Sequence, residues 1–511
     1  MEPHIIKVEA TASSQHGAHK RQRPAKSMKR RLIAAAHELG PGLVTGAADD
    51  DPSGIATYSQ AGAQFGYGLL WTMPLLFPLM SAVQLVSAHI GRVTGEGLAK
   101  NLARAFPRPV LLFLIGTLLV ANAINIGADL SAMGASAELV VGGGRHAFVL
   151  AFALASVLLQ LFVPYHQYAR FLKWLTLSLF AYVGVILVVH TDWPAAARGV
   201  IWPSKLNESA VLTIVALFGT TISPYLFFWQ SAQEAEEIVD TKGGRPLKSS
   251  PRSAKSQFRR MRFDTIAGMA FSNIISITII LATAATLHAS GVTQINTASE
   301  AAEALRPIAG RFAFLLFAVG IVGTGLLAVP VLAGSAAFAV SEAADWKRGL
   351  EYTPGQAMRF YGVIAAATLI GSLFDWIRLD PVRALFWSAV LNGLVAVPIM
   401  IAMMILVSRR SVMGRFTASR SLLLLGWAST AVMATAAFAL IGQAVLPSCA
   451  LRLTSLQFDV SSLGPWRRPR CWPDDRHRAG LALPAEEERN PRCRRSHFHA
   501  SRHGRRARRH S

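Results

Sequence analysis

Residues 42–68 read GLVTGAADDDPSGIATYSQAGAQFGYG. The stretch has the small and apolar character of a membrane crossing, which takes about 20 residues. Yet Asp49, Asp50 and Asp51, followed by Pro52-Ser53-Gly54, stand at its middle. Proline removes a backbone donor and clashes with the preceding turn, and glycine weakens helix preference further. In hydrocarbon a freed carbonyl needs a partner, so an interrupted helix must be buried in protein or line a wet cavity. A carboxylate at the bilayer centre costs about 2.5–3.5 kcal/mol on insertion scales, so it normally has a partner, and a cation supplies one. A second stretch repeats the pattern: residues 210–230 read AVLTIVALFGTTISPYLFFWQ, with Thr220, Thr221 and Ser223 around Pro224.

Composition puts both stretches in a membrane protein. Of 511 residues, 52% are hydrophobic and only 16% charged, against about 25% charged in soluble proteins. The net charge of +22 suggests nucleic acid until it is mapped. The tail 451–511 carries +9, the arm 1–31 +6 and the loop 241–262 +8, leaving the rest near neutral. Charge on flanks and one loop fits a membrane protein better than a DNA-binding face. The basic tail has neither aromatic interleaving nor a recognisable nucleic-acid module, so no nucleic-acid partner is expected. The three cysteines lie at 449, 471 and 493, so the first 448 residues have no disulfide framework or thiolate metal site.

Eleven spans are expected, at about 40–62, 67–90, 110–139, 147–163, 171–190, 210–231, 263–288, 312–340, 358–374, 384–407 and 421–446. The arm 1–37 lacks the apolar stretch and cleavage site of a secretory signal and reads as a basic cytoplasmic tail. Connector charges agree. Arg92, Lys100, Arg104, Arg108, Arg170, Lys173, the 241–262 cluster, Lys347, Arg348, Arg409, Arg410 and Arg415 fall on one side, and the other side is sparse. The positive-inside bias places the dense side and the N-terminus in the cytoplasm. The expected organisation is the arm, a transmembrane domain over 38–446 and a tail over 447–511. Within that domain, 38–190 and 210–407 form repeats and 421–446 is an extra helix. The Arg-rich tail has no periodicity; it reads either as a solvated, disordered basic tail or, from its abrupt change of character, as a frame error or a lost natural end, and no structure or function is assigned to it.

An interrupted helix opening each half of a ten-helix core points to an inverted-repeat transporter with a midplane site. The residues that carry this reading also resemble a family. Residues 40–71 (GPGLVTGAADDDPSGIATYSQAGAQFGYGLLW), 87–102 (SAHIGRVTGEGLAKNL) and 219–225 (GTTISPY) are similar to the NRAMP divalent-metal transporters over roughly 38–446. The resemblance implies an all-α membrane protein of LeuT-type fold, about 11 transmembrane helices in a 5+5 inverted repeat with helices 1 and 6 broken. It also implies alternating access, with the metal held at the two unwound segments.

The family's usual Asp-Pro-Gly-Asn is Asp51-Pro52-Ser53-Gly54 here, so Gly54 stands where an amide ligand is lost. The usual Met-Pro-His is Ser223-Pro224-Tyr225: a serine replaces the thioether ligand, and a tyrosine replaces a histidine associated with proton movement. Thr220 falls where the family offers a backbone carbonyl. The metal residues implied are therefore Asp51, Gly54, Thr220 and Ser223. In residues 125–136, NIGADLSAMGAS keeps an acid at Asp129, but Ala132 stands where many members have glutamate. A thioether favours transition metals over hard ions. Its loss, with the amide, leaves a roomy set of hard oxygens suited to a partly hydrated Mg²⁺, with Mn²⁺ tolerated. The pattern resembles the NRAMP-related magnesium branch more than the iron and manganese members, and it weakens the case for proton coupling.

Asp129, Tyr225 and Asn392 are candidates for a relay or an outer shell, with interhelical hydrogen bonding the plainer role for Asp129 and Asn392. Asp49 and Asp50 are expected nearer the mouth of the pathway, His89 at the interface, and Glu234, Glu236 and Glu237 either lining the inner exit or, more plainly, at a solvated helix end. The loop 241–262 is expected to meet anionic headgroups or to fix topology. Two other readings are weighed. A sodium-coupled carrier of an amino acid on the same fold is disfavoured, because that class often lacks a mid-membrane acid. An intramembrane aspartyl protease lacks a second facing aspartate in a matching motif. The chain is expected to be an integral protein of a bacterial inner membrane, not an enzyme. It needs no cofactor beyond the transported cation and has no evident obligate protein partner.

Overall fold

A computed structural model describes residues 41–163, 176–203, 207–240, 244–251, 254–376 and 380–455. The expected arm 1–37, most of the tail and residues 171–175 of the expected fifth span lie outside these. Contacts divide the chain into Met1–Leu451 and Arg452–Ser511, and the fold below is that of the first unit.

Among the described residues the secondary structure is helical, with no strand. The helices that position the site are α1 (Pro41–Asp49), α2 (Pro52–Phe65), α3 (Thr72–Thr94), α4 (Leu98–Ala105) and α5 (Arg108–Val141). The chain continues through α6 (Arg145–Phe162), α7 (Phe180–Val188), α8 (Trp193–Ile201), α9 (Glu208–Thr221) and α10 (Pro224–Asp240). After these come α11 (Ala254–Thr283), α12 (Ala298–Glu303), α13 (Ala313–Ala343), α14 (Met358–Leu373), α15 (Pro381–Ser408) and α16 (Arg420–Ser455).

Nine helical stretches among the described residues are long and apolar enough to cross a membrane. The two expected spans not among them have clear reasons. The first is split into α1 and α2, of 9 and 14 residues, each too short alone. Of the fifth, expected at 171–190, residues 171–175 lie outside the described residues, and only a short turn and the 9-residue α7 are described. Large apolar side chains such as Leu424, Phe438 and Phe162 are exposed along α16 and α6, as expected of helix faces turned to lipid.

Glycines set the closest helix approaches. α1 lies against α11: a Cβ added at Gly46 would stand 2.7 Å from Gly268 Cα, so the two backbones touch. The start of α1 is fixed by Asp264 of α11, whose Oδ2 accepts from Gly42 N–H at 2.7 Å; an orphan donor at a helix N-terminus thus meets a carboxylate. α9 meets α15 in the same way, where a Cβ at Gly219 would stand 2.8 Å from Gly393 Cα. α5 packs on α13, α14, α15 and α6 and forms the back wall behind α2.

Two expectations about charged groups are corrected. Glu234, Glu236 and Glu237 do not form a solvated helix end. Glu234 is buried and bonded to Arg92 Nε at 2.7 Å, and Glu237 bonds Arg92 and Arg260, the latter at 2.8 Å. Glu236 accepts from Leu350 N–H at 3.0 Å. Neighbouring like charges cannot stay in a packed core unless basic groups reach them, and this cluster ties α10 to α3 and α11. The cations of 241–262 are likewise not all on a loop, because α11 begins at Ala254 and carries Lys255, Arg259, Arg260 and Arg262 in its first turns. His89 is buried within the protein, with Nε2 2.6 Å from Phe416 O and its ring stacked on Phe258.

Replacing Gly46 with Val forces α1 off α11. The expected cost is about 1–3 kcal/mol of overpacking, read as a lowered thermal midpoint of the detergent-solubilised protein. An unchanged midpoint would show that the seam tolerates separation.

Candidate metal site

The first break is made by local chemistry. Asp51 has extended backbone (φ −73°, ψ 171°) and caps α2, with Pro52 as its first residue. Aspartate at the cap and proline just inside are both favoured there, because the cap oxygen satisfies a free N–H and proline has none to satisfy. Asp51 Oδ1 accepts from Gly54 N–H at 2.7 Å and from Ser53 Oγ at 2.6 Å. The second break lies between Thr221, which ends α9, and Pro224, which starts α10; Ile222 leaves the helical region at φ −114°, ψ 60°. Ser223 turns its hydroxyl back toward the carbonyls of Gly219 and Thr220, 2.8 Å from each.

The breaks face one another. Ser53 Oγ and Thr220 Oγ1 are 3.2 Å apart, and Tyr58 OH is 3.2 Å from Thr221 Oγ1. Tyr225 OH donates toward Ala48 O at 3.1 Å and lies 3.4 Å from Asp51 Oδ2. All of these side chains are buried. Of the residues singled out from sequence, Asp51, Gly54 and Tyr225 therefore meet directly, and Thr220 reaches them through Ser53. Ser223 joins them through the Thr220 carbonyl, and Pro52 and Pro224 begin α2 and α10 as expected. The space freed by glycine at 54 is taken in this conformation by Tyr58, whose ring would stand 3.1 Å from a Cβ there.

Asp129 lies in α5 with both carboxylate oxygens buried and without a hydrogen bond among the described residues. Asn392 in α15 is also buried, and neither amide atom is bonded among the described residues; no hydrogen bond links it to Asp51. The interhelical bonds that would make these two plain packing groups are thus not among their contacts. Asp49 and Asp50 do not line an open mouth. Both are buried and converge on Ser272 of α11, whose Oγ is 2.7 Å from Asp49 Oδ2 and 2.9 Å from Asp50 Oδ1.

Sequence reasoning passed over Asn125. Its Nδ2 donates to Asp51 Oδ2 at 3.3 Å from the middle of α5. The available signal was spacing: Asn125 precedes Asp129 by four residues, one helical turn, which puts both on one face.

Chemically, the cluster offers one carboxylate among hydroxyls, amides and backbone carbonyls. Among the described residues no group of three or more His, Cys, Asp or Glu side chains converges as a metal cage. The groups bonded to Asp51 are Ser53, Gly54, Asn125 and Tyr225, none of them basic. A buried carboxylate whose hydrogen-bond partners are all neutral, with the acids Asp49, Asp50 and Asp129 buried nearby, has an unmet demand for positive charge.

Two interrupted helices meeting over a buried acid, inside a bundle of apolar spans, define a membrane protein of LeuT-type fold. A solved structure of the Eremococcus coleocola manganese transporter has a TM-score of 0.66 at 17% identity, covering 81% of this chain and 87% of that one. MHP1, a nucleobase-cation-symport-1 family transporter, has a TM-score of 0.50 at 13% identity, covering 82% and 94%. The chain belongs to the Nramp family: the model for natural resistance-associated macrophage protein-like proteins matches residues 42–443. A curated relative, the divalent metal cation transporter MntH of Klebsiella pneumoniae (strain 342), is 25% identical over 407 residues, 77% of this chain and 91% of the relative.

Asp51→Asn separates capping from ion binding. Asparagine caps as well as aspartate, so the thermal midpoint without divalent ions is expected to stay near the wild-type value. The rise in midpoint on adding millimolar Mn²⁺ is expected to vanish. An equal rise in both proteins would remove Asp51 from the site.

Proposed function

We propose that the protein imports divalent cations, Mg²⁺ and Mn²⁺, by alternating access, with the ion held between the broken helices at Asp51, Thr220, Ser223 and the Gly54 turn. The observation that carries this reading is Asp51 itself: a buried carboxylate at the meeting point of two breaks, bonded only to neutral groups. The Nramp match and the divalent-metal name of the relative support a metal over an organic solute.

The donor set argues for a hard ion. Serine at 223 puts a hydroxyl where a thioether would select soft metals, and hydroxyls, carbonyls and one carboxylate suit a cation that keeps part of its water. Tyr225 and Ala132 stand where the family offers a titrating histidine and glutamate, which favours facilitated uptake without proton coupling. We place the protein in a bacterial inner membrane with its N-terminus in the cytoplasm, and we assign 38–190 and 210–407 as its repeats. Asp129, Asn392 and Tyr225 act around the ion rather than as its main ligands.

Alternation needs ties that can exchange. At one end of α2, Gln60 accepts from Ile295 N–H at 2.9 Å and donates to Thr293 O at 3.3 Å. At the far end of α10, the Arg92 cluster holds Glu234 and Glu237. Both sets are made in this conformation, and opening to either side requires breaking one of them.

Proteoliposome uptake tests the proposal. Mg²⁺ and Mn²⁺ are expected to enter, Asp51→Ala to fall to background, and an inward proton gradient to leave the rate unchanged. Accumulation driven by the gradient would overturn the uncoupled part. Entry of Mn²⁺ without Mg²⁺ would overturn the hard-ion part. Ser223→Met is expected to raise Mn²⁺ and Cd²⁺ uptake relative to Mg²⁺, as the restored thioether prefers softer ions.

A further inference from the structure

The two oxygens of Asp51 are held differently. Oδ1 is locked into the helix cap by short bonds from Ser53 at 2.6 Å and Gly54 at 2.7 Å. Oδ2 has only the long contacts from Asn125 at 3.3 Å and Tyr225 at 3.4 Å, so it is the oxygen available to an ion. Asn125 is fully buried, and while its Nδ2 faces Oδ2, its own Oδ1 is buried and accepts no hydrogen bond among the described residues. A buried acceptor left unused is destabilising, and such groups in native proteins mark a role.

We propose that Asn125 is a ligand of the transported divalent cation, giving its amide oxygen to an ion seated on Asp51 Oδ2. This rests on the proposed transport function and deepens it. The amide that position 54 cannot supply from α2 comes instead from α5, on the opposite side of the carboxylate. With no ion, the NH₂ group faces the carboxylate, as donor to acceptor. With an ion on Oδ2, that arrangement would aim a donor at a cation, and a half turn about the broad terminal torsion presents the oxygen instead. An amide oxygen is a neutral hard donor, common around Mg²⁺ and Ca²⁺. The ion thereby joins α5 to the broken helices, so loading is felt by a third element.

The experiment is ion binding by purified protein, with Mn²⁺ and Mg²⁺ as the probes, in wild type, Asn125→Ala, Asn125→Asp and Asp51→Ala. A ligand role predicts that Asn125→Ala weakens both ions by about tenfold or more, and that Asn125→Asp, which keeps an oxygen but loses the donor, binds at least as tightly as wild type. If Asn125 only positions Asp51 through its N–H, Asn125→Asp binds as poorly as Asn125→Ala, and the inference falls. A second readout does not depend on any variant folding. Wild-type protein labelled with ¹³C at the asparagine side-chain carbonyl and loaded with Mn²⁺ should show a ¹³C hyperfine coupling of a directly bound amide. Its absence overturns the inference, and its loss in Asn125→Ala assigns it. If Asp51→Ala loses the ion while Asn125→Ala binds like wild type, only this inference fails. If Asp51→Ala binds like wild type, the site reading itself fails.

Discussion

Everything in this structure is arranged around the cost of keeping a carboxylate in a helical core that faces lipid. Asp51 is buried and, among the described residues, bonds no arginine, lysine or histidine, so its stabilisation comes from the ends of broken helices. That requirement explains why α2 begins where it does, why a proline follows the acid and why the second break turns its hydroxyls toward the first. The glycine seams between α1 and α11 and between α9 and α15 serve the same end. A broken helix loses packing along its own axis, and backbone-to-backbone contact with an unbroken neighbour restores it.

Much of this was legible in the sequence. The fold class follows from apolar length and from the paired proline breaks at Pro52 and Pro224, since lipid admits few ways of ending a helix midway. The meeting of Asp51, Thr220 and Tyr225 was legible because the motifs sit at the breaks themselves. The first span's absence among the long apolar helices is the same fact seen in structure, as neither half reaches crossing length.

What the sequence concealed depended on partners from distant parts of the chain. Asp49 and Asp50 look like acids waiting at a pathway mouth, but Ser272, more than two hundred residues on, draws both inward. Glu234 and Glu237 have the appearance of a wet helix end until Arg92 and Arg260 are folded against them. Asn125 shares a face of α5 with Asp129, and the packing of that helix behind the break turns its amide toward Asp51. Local patterns report where a helix must stop, whereas charge compensation is decided by tertiary contact.

The division of labour between the two oxygens of Asp51 has a consequence for the unloaded protein. Because Oδ1 carries the side-chain cap of α2, an ion leaving Oδ2 in the proposed cycle would leave the cap, and with it the shape of the break, intact. The vacated cradle therefore does not have to refold before it can be used again. On the proposed function, such a carrier would reset as a rigid joint, moving neighbouring helices without rebuilding its own binding site.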